Sequence, residues 1–282
     1  MGRKQREVIY KRRPHVGWFQ RSTGAVPGLP CAGEGRRVAS LLVTTTRPVL
    51  DENCFTADSG ITYAYCAEPG TVVAIGYDGP STVVIPDSVW NGLDEYLVTA
   101  VADEFFSAVT LDAVSIGENV TTIGSWAFIN DNLTTILFSK SLTFIGEGAF
   151  AGNELSTVEI PASVTTLGNG AFANNPLRSV TLHEGLTEIG AYAFEETELT
   201  RIAIPGSMTA IGQGAFSGAP LAAATFAGTA PSIHSRLDRG TPTFDTESGL
   251  VVYYSSQRNA EGGFTSPTWL GYDSVVDTIE FQ

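Results

Sequence analysis

At 282 residues and 43% apolar, the chain is long enough to bury one continuous core, and no stretch approaches the 18 apolar residues of a membrane-spanning helix. The net charge of −14 is unevenly spread: positions 1–50 hold ten Lys/Arg against Glu7 and Glu34, a net of +8, whereas the rest holds 6 basic and 28 acidic residues, a net of −22. A body that acidic repels phosphates, which argues against nucleic-acid binding by anything after the first fifty residues.

Residues 1–51 read as a basic, low-order tail: Arg3, Lys4, Arg6, Lys11, Arg12 and Arg13, then Gly/Pro-rich sequence to Pro30. Such a tail is either a nucleic-acid or membrane-surface arm, or a disordered extension, or upstream sequence translated from a misplaced start. Its apolar run, residues 38–43, falls short of the 7–15 residues of a secretory h-region, so no signal peptide is recognised.

Residues 52–108 read as an N-terminal β cap with an atypical first repeat. Phe55-Thr-Ala-Asp and Ile61-Thr-Tyr-Ala-Tyr alternate around Ser59-Gly60, which predicts a hairpin. Residues 71–77 and 81–86 predict two more strands, and Trp90-Asn-Gly-Leu-Asp-Glu lengthens the first coil with a turn. Cys54 and Cys66 flank the hairpin symmetrically about Gly60; a disulfide between them and two free thiols are both open readings, and Cys31 has no evident partner.

Residues 109–223 repeat with a period of 22. Leu111, Leu133, Leu155, Leu177, Leu199 and Leu221 keep register, and so do Phe106, Phe128, Phe150, Phe172, Phe194 and Phe216. A fixed period in this range with leucines in register is the signature of a solenoid. Val158 and Ile160 sit two apart and so share one strand face; Thr157 and Glu159 take the other. A turn follows, often at proline (Pro161, Pro205), and then glycine recurs at 124, 146, 168, 190 and 212, giving either a positive φ or room for a neighbouring backbone. The predicted fold is a β-rich solenoid with a parallel sheet on one face, short strands or helical turns behind it, and caps at both ends. Asp131, Asn153, Asn175 and Thr197 share the slot before the leucines and predict a ladder of side-chain bonds to adjacent turns.

The pattern L-x-x-I-x-I-P-x-x-V-T-x-I-G-x-x-A-F-x-x-N resembles the BspA-like leucine-rich repeat family of surface proteins. Residues 199–216, LTRIAIPGSMTAIGQGAF, and 155–172, LSTVEIPASVTTLGNGAF, carry the resemblance. It covers about 85 to 226; the internalin-type pattern fits less well, for want of the Ala-Phe pair and the proline. The resemblance implies a right-handed leucine-rich-repeat superhelix, a role in adhesion or protein binding, and an extracellular or cell-surface location. The absence of a recognised signal peptide leaves an intracellular protein–protein scaffold of the same fold, in the cytoplasm, as the alternative.

Residues 224–282 form the C-terminal capping region: a coil begins at Phe226, Gly249-Leu-Val-Val-Tyr-Tyr is a late strand, and Phe264, Trp269 and Tyr272 cover the last coil. A carbohydrate-stacking role for Trp269 and Tyr272 is a third functional reading.

No catalytic residue, metal site or cofactor is assigned. His183 occupies the slot of Pro161 and Pro205, and no Cys/His cluster or calcium loop has ligand spacing. Gly146-Glu-Gly-Ala-Phe-Ala-Gly and Gly212-Gln-Gly-Ala-Phe-Ser-Gly resemble phosphate loops but lack the βαβ context and recur at the repeat's own turn. Asn119-Val-Thr and Asn132-Leu-Thr are glycosylation sequons, relevant only in a eukaryotic secretory pathway. The candidate binding surface is the outward column of the sheet: Ser115, Thr135, Leu137, Thr157, Glu159, Ser179, Thr181 and Arg201, which differ from copy to copy. A protein ligand is expected there, with glycan as a second class; solvated, β-favouring side chains are the alternative, and the sequence sets no oligomeric state.

Overall fold

The computed structural model describes residues 54–105, 110–234, 243–244, 250–255, 268–269 and 272–277. Every regular element among them is a strand. Apolar side chains recur two apart in each copy, a strand period, and a turn cuts each run before a helix can form.

Each copy supplies one strand to a front sheet and a shorter one to a back sheet; the back strands are continuously paired, whereas the front sheet is paired in three groups, with breaks between Thr135–Leu137 and Thr157–Glu159 and between Ser179–Thr181 and Arg201–Ile204. The front strands of the array are Ala113–Ile116, Thr135–Leu137, Thr157–Glu159, Ser179–Thr181, Arg201–Ile204 and Ala223–Phe226. The back strands are Thr122–Ile123, Phe144–Ile145, Thr166–Leu167, Glu188–Ile189 and Ala210–Gly212. Pairing within the array is parallel, and in the back sheet Ile123, Ile145, Leu167, Ile189 and Ile211 align coil on coil. Of the two arrangements predicted behind the front sheet, short strands are the one formed.

The back sheet continues into the cap. Glu95–Val101 pairs parallel with Thr71–Tyr77, which pairs antiparallel with Ile61–Tyr65, which pairs antiparallel with Cys54–Thr56. The turn at Trp90-Asn-Gly proves to be a second hairpin: Ser88–Trp90 pairs antiparallel with Glu95–Val101, and Asn91 Oδ1 accepts the Leu93 and Asp94 N–H groups at 2.8 Å. The Cys54–Cys66 pairing considered from the sequence needs correction. Cys54 lies opposite Ala64, two residues short of Cys66, because the turn is not centred on Gly60. Cys54 is a free, half-buried thiol, whereas Cys66 is disulfide-bonded.

The core is a column of phenylalanines. Phe128, Phe150, Phe172, Phe194 and Phe216 are fully buried, with successive centroids 5.1, 5.3, 5.8 and 5.5 Å apart and rings within 10° of parallel. Each burial is worth roughly 1.5–3 kcal/mol. Phe106 lies outside the described residues; Phe105 meets Phe128 edge-on at 6.2 Å instead. Beyond the regular repeats Phe244 extends the column, stacked on Phe216 at 5.3 Å, and Leu250 is buried like the leucines before it. The strand Val251–Ser255 then continues the front sheet beside Ala223–Phe226. At its end Thr268–Trp269 pairs antiparallel with Tyr272–Asp277; Phe264 lies outside the described residues.

The recurring glycine makes room rather than a left-handed turn. A Cβ on Gly146 would sit 2.6 Å from the carbonyl carbon of Gly124, and one on Gly168 would sit 2.5 Å from the nitrogen of Glu147. The positive φ falls two residues later, at 58° for Gly148 and 61° for Gly214, and also at 55° for Trp126 and 59° for Tyr192. In those last two copies the aromatic ring lies over the glycine of the following coil.

Candidate binding surface

The polar atoms behind the sheet are committed to the scaffold. Asn153 Nδ2 donates to the carbonyls of Phe128 and Phe150 at 2.7 and 2.9 Å, while its Oδ1 accepts the N–H groups of Asp131 and Leu133 at 3.1 and 2.9 Å. Asn175 repeats the arrangement with Phe150, Phe172 and Leu155, and Thr197 Oγ1 donates to Phe194 at 3.0 Å. Of the predicted ladder, Asn153 and Asn175 tie one coil to its neighbours, Thr197 bonds only within its own turn, and Asp131 Oδ2 has no partner.

A second ladder escaped the sequence reading. Thr121, Thr143, Thr165, Thr187 and Thr209 each donate Oγ1 to the backbone carbonyl of the threonine one coil earlier, at 2.9–3.4 Å. The signal was present in the V-T-x-I-G part of the pattern. Some acids are also structural: Glu184 accepts the Gly206 and Ser207 N–H groups of the next coil at 2.7 and 2.9 Å.

What remains free is the outward side of the front sheet. Thr135, Leu137, Thr157, Glu159, Ser179, Thr181 and Arg201 are exposed and Ser115 is half-buried. Strand register sorts them into two columns. Thr157 lies beside Ser179 and Glu159 beside Thr181; Ser115 lies beside Leu137, and Thr135 beside Ala113. The second column begins earlier than the sequence reading placed it, at Val84, which lies beside Ser115. It is resumed by Tyr253, beside Thr225. Val84 and Leu137 are both 62% exposed. His183 Nε2 and Glu159 Oε1 are 3.1 Å apart at the end of these strands, and Arg178 donates to Glu198 at 2.8 Å. Hydroxyls, two uncovered aliphatic side chains and a few charges of both signs line this face. Among the described residues no group of His, Cys, Asp and Glu is placed to hold a metal ion.

Stacked parallel coils around leucine and phenylalanine columns define the chain as a leucine-rich-repeat solenoid. Its repeats are of the BspA type: the family model for the BspA type leucine rich repeat region matches residues 99–222 in six copies. Among solved structures, a Treponema pallidum leucine rich repeat protein is 23% identical, with 78% of this chain and 97% of that one covered and a TM-score of 0.58. The pneumococcal vaccine antigen PcpA is 22% identical over 61% of this chain and 49% of its own, at a TM-score of 0.56. Both show the fold. A leucine rich cell surface protein of Faecalibacterium prausnitzii A2-165 is 30% identical over 61% of this chain and 54% of its own, at a TM-score of 0.48. This chain thus spans about half the length of the last two. A comparison with curated proteins gave no match.

Proposed function

We propose that the chain is a non-enzymatic binding protein that engages a protein ligand through the outward columns of its front sheet, at a cell surface. The coil is taken as right-handed, the hand that parallel crossovers almost always have. The observation that carries the reading is a division of labour within each copy. Slots holding Leu, Phe, Asn and Thr make the same contact coil after coil, whereas the outward slots change from Thr to Leu to Glu to Arg and bond little. Parallel strands repeat at about 4.8 Å, so the face offers a rigid, multivalent row of short side chains. Rigidity lowers the entropic cost of binding.

The repeat type supports the surface location, and the disulfide at Cys66 favours an oxidising compartment over an intracellular scaffold. No helix among the described residues is long and apolar enough to cross a membrane. The test is solid-phase capture on a panel of extracellular matrix proteins and glycans, comparing the native chain with Thr157→Lys/Thr181→Lys. Binding to a protein on the panel that the double variant loses is the expected result. Binding that survives in the double variant refutes the sheet face as the site. Glycan capture abolished by Trp269→Ala supports instead the carbohydrate reading.

A further inference from the structure

The buried slot before each leucine contains one residue that does not match its neighbours. Asn153 and Asn175 are 3% and 1% exposed, and each carboxamide donates on one side and accepts on the other. Asp131 occupies the same slot at 2% exposure. An ionised carboxylate only accepts hydrogen bonds, but this slot requires a donor. The carbonyl of Phe150 shows what the slot supplies: it accepts Asn153 Nδ2 at 2.9 Å and Asn175 Nδ2 at 2.8 Å. The equivalent carbonyl of Phe128 accepts Asn153 at 2.7 Å, and its second donor would come from position 131. Asp131 Oδ2 is buried there without a partner.

We propose that Asp131 is held in the folded protein as the neutral acid, its O–H standing in for the asparagine N–H, so that ionisation loosens the coil junction at Leu111. The residue adjoins that junction through its main chain, since the Leu111 N–H donates to the Asp131 backbone carbonyl at 2.7 Å. No charged group among the described residues bonds it. The acids on the coils to either side, Asp103, Asp112, Glu147 and Glu154, are exposed or half-buried, and none bonds Asp131. The described cations Lys140, Arg178, His183 and Arg201 make no bond to it either. Burial alone pushes its carboxyl up, to about 7.

The sign follows from linkage. A carboxyl that is raised in the folded state, and titrates near its ordinary value of 3.8 when unfolded, adds stability that is full below that value. The contribution is lost as pH rises through about 7. The experiment compares the full native chain with Asp131→Asn, by thermal melting at pH 4.5 and pH 8.5 and by carbon-13 titration of the carboxyl. The expected results are a variant that melts several degrees higher at pH 8.5 and almost the same at pH 4.5, and a native carboxyl with a midpoint near 7. An equal shift at both pH values, a variant less stable at pH 8.5, or a native midpoint near 4 would overturn the proposal.

Discussion

The front sheet and the turn edge behind it come from the same 22 residues but obey different rules. At the edge, Phe128, Phe150, Phe172 and Phe194 each donate their N–H to the alanine carbonyl of the next coil at 2.8 Å, and the ring, the glycine and the asparagine fit against identical neighbours. On the outward side of the front sheet most side chains are exposed and few bond one another, so a serine and a leucine, Ser115 and Leu137, stand side by side. Repetition is therefore enforced where coils touch and relaxed where they do not. Stability belongs to the first region, and the proposed recognition to the second.

Five perturbations probe that contrast. Phe172→Ala removes one ring from a stack buried on both sides and should cost roughly 3–5 kcal/mol, read by denaturant unfolding. The Asp131 carboxyl, raised from 3.8 to about 7 by burial, should make the native chain less stable from pH 4 to pH 7, by at most about 4 kcal/mol. Glu195, raised by burial and then by Glu196, and Glu147, raised by burial, act in the same direction. Only the part absent from Asp131→Asn belongs to Asp131. Asn153→Leu keeps bulk but leaves two N–H groups and two carbonyls short of a partner; about 2–4 kcal/mol is expected from chemical denaturation. Gly168→Ala drives a Cβ into the backbone of the preceding coil and should lower stability by roughly 1–3 kcal/mol, seen as a lower melting temperature. Arg178→Ala breaks an ion pair whose side chains are 71% and 52% exposed, and should change stability by less than about 0.5 kcal/mol.

The array was legible in the sequence because each coil meets near-copies of itself, so a periodic environment leaves a periodic imprint. Leu155, Phe172 and Asn175 could be placed from spacing alone. Where periodicity lapses, so did the reading. Phe244 follows Phe216 after 28 residues rather than 22, and its place in the column depends on a contact that spacing did not show. The hairpin register that separates Cys54 from Cys66 is set by a turn of four residues, and symmetry about Gly60 was no guide to it. The glycine column illustrates a third kind of gap. Its positions were evident, but only the geometry shows that close approach, and not positive φ, requires them at 146 and 168. Strand alternation is what sets the outward residues apart in the sequence, and Val84 was missed because the first coil departs from the pattern.

The measurement that tests the division most directly pairs two readings on Thr157→Lys/Thr181→Lys: its melting temperature, and its capture on whichever matrix protein binds the native chain. Both threonines are exposed and lie on paired strands. The account expects the melting temperature to stay within about 2 °C of native, as for surface substitutions of under 0.5 kcal/mol, with capture lost. A collapsed melting temperature would place these columns in the scaffold, and undiminished capture would place recognition elsewhere; either result contradicts the account.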